Sequence, residues 1–252
     1  MRVFMAGLVV LLVACDPAEP SGPSGPPAGP DGSADPSPDC PPKHSVEGEY
    51  GAFELAGWPI RMQMELLEEE SALGCEVLGL LNSDLATIRA ALSTARIDRL
   101  RTVTVWIEVD EAAFPGAVYH PSAGWLVNNG YPAEWAEGIQ LGNARNYLSW
   151  TNTQPAMVLH EFSHAWHHQV VGYDDPTLLR AFESAMDSGI YEAVEYADGS
   201  TREAYATTNV QEYFAELSEA WFWSNDFYPF ERGDLLEHDP VGAAAVEEAW
   251  AP

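Results

Sequence analysis

Five consecutive residues, His160-Glu161-Phe162-Ser163-His164, hold the chemistry most easily read in this chain. Residues four apart share one face of an α-helix, so both imidazoles can bind a single Zn2+, and Glu161, one residue on, reaches a water at the side of the same site. Such an H-E-x-x-H pattern is suited to hydrolysis, with a metal to polarise a carbonyl and a carboxylate to take a proton from water. Met157, Val158, Phe162, Ala165 and Trp166 give the segment a broad apolar surface, so the helix is predicted to be buried. Buried there, two unpaired histidines and a glutamate would be costly without a metal or hydrogen bonds. Pro155 suits the first turn of this helix. His167 and His168 are expected to support the ligands from outside or to lie on the surface.

A catalytic zinc takes three protein ligands and keeps one position for water, so a third ligand is required. The extended pattern H-E-x-x-H-x-x-G-x-x-H is excluded, because the chain has His167 where glycine is needed and Val170 where histidine is needed. Two downstream pairs of acids are available: Glu183 with Asp187, beginning 19 residues beyond His164, and Glu212 with Glu216, beginning 48 beyond it. Spacing alone favours the first. Glu212, Tyr213, Phe214, Leu217, Ala220 and Trp221 recur at helical steps, so Glu212 and Glu216 lie one turn apart on a helix whose apolar side can pack on the histidine helix. Glu216 is then placed either to accept a proton from the outer nitrogen of a ligating histidine or to lie on the helix surface.

The segment Tyr205-Ala206-Thr207-Thr208-Asn209-Val210-Gln211-Glu212-Tyr213-Phe214-Ala215-Glu216 resembles the active-site segment of the anthrax lethal factor family of zinc metallopeptidases. There too a tyrosine, then T-N, then E-[FY]-F-A-E follow an HEFxH helix. The resemblance covers roughly residues 160–221 and implies a zincin-like fold, with His160, His164 and Glu212 as zinc ligands. It implies further that Tyr205 stabilises the oxyanion or assists the leaving group. It does not extend to a target. A Tyr119-His120-Pro121-Ser122 element and an Asn225-to-Phe230 element look like those of a compact bacterial branch of the same fold. Their aromatic side chains are expected to pack a loop onto the core or to build substrate subsites.

The elements that must hold these residues are visible in outline. Short strands are expected at Tyr50 to Leu55 and Pro59 to Leu66. A helix is expected from about Glu70 to Ala95, where Leu73, Val77, Leu80, Leu81, Leu85, Ile88 and Leu92 recur at three- and four-residue steps. Thr102 to Val109 alternates with period two and is rich in β-branched residues, which predicts a strand with one buried face. A loop-rich stretch with a short apolar piece at Gly138 to Leu141 leads to the histidine helix. There is no internal repeat.

The chain has 252 residues, 39 acidic and 11 basic, for a formal charge of −28, and Lys43 is its only lysine. A grip on phosphate backbones or anionic lipid is therefore excluded, and with it nucleic acid as a partner. Residues 1–14 read as a signal peptide, with Arg2 before an apolar run too short to span a bilayer. Leu12-Val13-Ala14-Cys15 resembles a bacterial lipobox, in which Cys15 would be lipidated after cleavage. From residue 15 to 42 the chain is dominated by Pro, Gly and Ser and is expected to be a flexible tether. Five of the acids and one of the bases lie before residue 43, so the folded unit, 43–252, is itself strongly acidic, which disfavours acidic substrates. Cys40 and Cys75 remain as an even pair, and in an oxidising compartment they are expected to form a disulfide tying the end of the tether to the first helix.

Together these readings predict an α+β zincin-like domain with a small twisted sheet, a long helix packed on it, the histidine helix along a cleft and a helical C-terminal half. It would hydrolyse peptide bonds of a protein or peptide at or outside the cell surface, with the sheet edge holding the substrate as an added strand. Its only membrane contact would be the lipid anchor of an envelope lipoprotein; without that anchor it is freely secreted. The same motifs also fit a zinc hydrolase of a non-peptide amide, or a surface-anchored binding protein with a structural metal. Glu161 and Tyr205 speak against the last, since a structural zinc needs neither a base nor an oxyanion donor.

Overall fold

The computed structural model describes residues 39–251. The signal peptide, Cys15 and nearly all of the tether lie outside the described residues. The described chain is α+β: a six-stranded sheet with helices packed against one face, followed by a mostly helical C-terminal half.

The first strands are β1 (Ser45–Glu47), β2 (Tyr50–Leu55) and β3 (Trp58–Gln63). They form an antiparallel meander. Ala56 and Gly57 join β2 to β3 with φ of 53° and 91°, the left-handed pair that a two-residue hairpin needs. The strand expected to run to Leu66 stops at Gln63. Beyond it Met64–Glu68 form the short helix α1, with Leu66 and Leu67 buried.

The long helix predicted from Glu70 to Ala95 is α2 (Ser71–Ala91) and then α3 (Thr94–Leu100), because Leu92 takes an extended conformation between them. α2 buries Val77, Leu78, Leu81, Leu85 and Ile88, the stripe the sequence displays. Cys40 and Cys75 form a disulfide that ties the start of the described chain to α2.

β4 (Val105–Ile107) is shorter than expected and is buried on both faces. The inner residues Val105 and Ile107 join the core shared with α2. The outer Trp106 is covered by Phe114, Leu126 and Trp135 from the segment after β4, an aromatic lid that strand alternation does not reveal. That segment contains β5 (Ala117–Tyr119), α4 (Ala123–Asn128), a 3-10 turn (Ala133–Trp135) and β6 (Ile139–Leu141). The sheet order is β1-β2-β3-β4-β6-β5, with β3, β4 and β6 parallel and β5 an antiparallel outer strand. Beneath the lid, Tyr50 and Gln140 donate to Glu108 and the His120 ring bonds Gln140, so these three polar side chains are joined in one network around Glu108.

The C-terminal half begins with α5 (Ala144–Trp150) and α6 (Met157–Trp166), the histidine helix. α6 starts two residues after Pro155, which lies just outside the first turn rather than in it. A π-helical turn (His167–Val171) extends α6 and ends at Gly172, whose φ is 89°. Next come α7 (Pro176–Ser188), the small β7–β8 pair (Val194–Glu195, Thr201–Arg202) and a 3-10 turn (Tyr205–Thr207). Three helices finish the described chain: α8 (Val210–Phe222), α9 (Arg232–His238) and α10 (Pro240–Ala249). Just after α10 the fully buried Trp250 stacks on Trp166 of α6 at 4.7 Å and donates its indole N–H to Ser218 of α8. One side chain thereby holds α6 and α8 together.

Candidate metal centre

α6 and α8 meet at the centre. Helical phase puts His160 and His164 on one face of α6. On α8, the Asn209 side chain caps the helix by accepting from the backbone N–H groups of Gln211 and Glu212, 2.9 Å each, which fixes the turn carrying Glu212. Nε2 of His160, Nε2 of His164 and Oε2 of Glu212 form a triangle with every side 3.1 Å.

Three atoms so spaced lie on a circle of radius about 1.8 Å, shorter than the roughly 2.0 to 2.2 Å bond of a first-row divalent ion to nitrogen or carboxylate oxygen. The three atoms are therefore close enough together for one such ion to bond to all of them. His160, His164 and Glu212 could hold a metal ion.

The electrostatics call for positive charge at this point. Burial works against a charged His160, yet the Glu212 and Glu219 carboxylates raise it well above the usual imidazole range. Burial likewise works to raise the Glu212 carboxyl, but His164 and His160 overcome it and hold the group well below the usual carboxylate range. Carboxylates crowded around two imidazoles favour a proton or a cation between them.

Glu216 takes neither of the two places open to it, being buried and out of hydrogen-bond reach of the histidine. Its Oε1 stands 3.9 Å from His160 Nδ1, and the acceptor is Glu219, whose Oε1 is 2.5 Å away. The reason is helical phase: four residues on from Glu212 is about 40° past alignment, whereas seven on is about 20° short of it. A carboxylate at this distance accepts, so Nδ1 carries a proton and Nε2 is the nitrogen left to meet a proton or a cation at the centre. Glu216 lies deep behind, with Oε2 buried and unpartnered, and burial pushes its carboxyl well up.

Glu161 is buried, and its Oε2 accepts from the backbone N–H of Tyr119 at 2.6 Å. Burial raises its carboxyl above the ordinary range, while His164 and His160 pull it down. Tyr205 sits at the start of the 3-10 turn, its ring centre 6.4 Å from that of His160. Burial and the Glu212 carboxylate both keep its phenol protonated.

Glu183 and Asp187, which spacing alone favoured, are both exposed on α7. That helix turns Leu178, Ala181 and Ala185 inward, which sends the acids to solvent. His167 is neither a surface residue nor a partner of the ligands: it is fully buried against Tyr173 and Phe214, neither ring nitrogen has a partner, and burial pushes it down to about 4. His168 bonds the Tyr119 hydroxyl at 2.9 Å.

Sequence reasoning missed Glu219 and Tyr119. The first left a signal, the alignment of positions 212 and 219; the second acts through its main chain and left none. The Tyr119–Ser122 element mainly packs: His120 is buried and Ser122 caps α4. In the Asn225–Phe230 element Asn225 and Asp226 are buried behind the centre. Comparison with known proteins gives no match: no family model fits the chain, and no curated protein or solved structure is significantly similar to it.

Proposed function

We propose that the chain is a zincin-like, zinc-dependent peptidase of the lethal factor type, exported and anchored at the cell envelope. The observation that carries this reading is the convergence of His160, His164 and Glu212 to 3.1 Å beside a buried glutamate. Two imidazoles and one carboxylate match the donor set of a catalytic zinc rather than a structural one. When bound, zinc would supply Lewis-acid polarisation of the scissile carbonyl and a lowered pKa for water.

The protein's own groups do the rest. Glu161 takes the proton of the attacking water and passes it to the leaving amine. Its upward-shifted pKa suits both directions of transfer. Tyr205, protonated, donates to the oxygen that becomes negatively charged. Glu219 keeps the His160 ring in the orientation that points Nε2 inward.

An extended peptide is the substrate shape the sheet favours. β5 is an outer strand, and Ala117 pairs with Leu141 in a position that turns its N–H and C=O away from β6. A substrate strand could bond both groups.

Cleavage profiling of purified protein against a peptide library tests the proposal, with Glu161→Gln as control. The expected result is a defined set of zinc-dependent cuts that disappear in Glu161→Gln by several orders of magnitude. An identical profile from both proteins, or no cuts by zinc-loaded wild type, removes the peptidase reading.

A further inference from the structure

Gly142 N–H bonds Gly116 C=O at 2.9 Å and His120 N–H bonds Gly138 C=O at 3.0 Å, so the even-numbered residues of this stretch face β6. Tyr119 therefore turns its N–H outward, where a strand edge ordinarily leaves a donor unpaired. Here that donor meets Glu161 at 2.6 Å, a short charge-assisted bond between two buried groups. The same residue is anchored a second time. Its hydroxyl bonds Nδ1 of His168 at 2.9 Å and accepts from Nε2 of Gln169 at 3.0 Å. Both partners lie in the π-turn that continues α6, seven and eight residues beyond Glu161, so Tyr119 grips α6 and its extension two turns apart.

We infer that Tyr119 is a positioning residue for Glu161: its main-chain N–H fixes the plane of the carboxylate, and its side chain keeps the strand where that N–H can do so. Glu161 is joined to its backbone by flexible torsions and is buried. Without a fixed donor its carboxylate would adopt whichever rotamer best offsets the lost solvation. A proton acceptor misplaced by about 1 Å loses on the order of 100-fold in rate, so a residue that only orients the base is felt in turnover. The inference rests on the peptidase reading for its kinetic consequence but not for its geometry.

The test is Tyr119→Phe, which keeps the ring and deletes both hydroxyl bonds, together with Gln169→Ala, which weakens the same anchor without touching the strand. In zinc-loaded protein both should keep wild-type metal content and a KM within about twofold while kcat falls about 10- to 100-fold for Tyr119→Phe and less for Gln169→Ala. In zinc-free, 15N-labelled protein the amide of residue 119 should be protected in wild type and exchange about 10-fold faster or more in Tyr119→Phe. Unchanged exchange together with unchanged kcat overturns the inference, as does a loss confined to KM or to metal content. If wild type cleaves no peptide, the functional reading fails, and the exchange comparison alone still decides whether the hydroxyl holds the strand.

Discussion

The three candidate ligand atoms come from two helices, and that makes their individual roles separable. Purified protein is expected to hold about one zinc per chain. His164→Ala or Glu212→Ala should lose most of it, while Glu183→Ala, on an exposed face, should keep it. Elemental analysis of the three variants checks this, and zinc loss confined to Glu183→Ala would refute the ligand set. Tyr205 is a different kind of residue, since its phenol lies beside the ligands rather than among them. Tyr205→Phe should keep zinc and lose about 10²- to 10³-fold in kcat, the usual effect of removing one oxyanion donor. Full activity in that variant would take Tyr205 out of the mechanism.

Among the elements, α2 and α5 share a buried pair whose behaviour can be read from its chemistry. The Tyr147 hydroxyl donates to Asp84 at 2.5 Å, and burial pushes the Asp84 carboxyl up to about 7 despite that bond. In the unfolded chain the group titrates near 3.9, so the folded state holds the proton more tightly. Stability from this group is complete below about pH 4 and is lost as pH rises towards 7. Asp84→Asn, which cannot ionise and can still accept from Tyr147, should gain on wild type over that window, by a few kcal/mol above pH 7. Urea unfolding of both proteins at pH 5 and pH 8 measures the difference, and a gap that does not widen between them contradicts the assignment. The elements also show what was legible. The α2 stripe and the His160–His164 pair lie within single helices, where a period of 3.6 converts sequence directly into position. Spacing pointed to residue 183 rather than 212, because it carries nothing of what decides between them, which face of α7 or α8 packs inward. The lid over β4 was hidden for a similar reason. Its cover comes from Phe114, Leu126 and Trp135, residues brought there by a connection rather than by a repeat. Tyr119 N–H was the least visible, since its direction depends on the register of β5 against β6.

For the whole molecule, the proposed lipid anchor is expected to be separable from the folded unit. Cys15→Ser should abolish lipid attachment and leave the fold intact. Full-length wild type should partition into a detergent phase, since each buried methylene of an acyl chain contributes about 0.8 kcal/mol. If both stay in the aqueous phase, the protein is freely secreted. Protein beginning at Lys43 should be soluble and active but lacks Cys40, and losing the bridge to Cys75 should lower its stability by about 2 to 4 kcal/mol.

His164 and Glu212 are 48 residues apart, and only the packed pair of α6 and α8 brings them within 3.1 Å. An unfolded chain offers no such triangle, so an ion bound there holds to the native state alone and adds its binding free energy to folding. Mass action then makes the stability of the domain depend on its surroundings. Each tenfold rise in free ion above the dissociation constant adds about 1.4 kcal/mol to folding, and each tenfold fall removes as much until the site empties. If the protein works outside the cytoplasm, as proposed, the cell does not set the free metal concentration, and lifetime as well as activity would follow the supply of the ion.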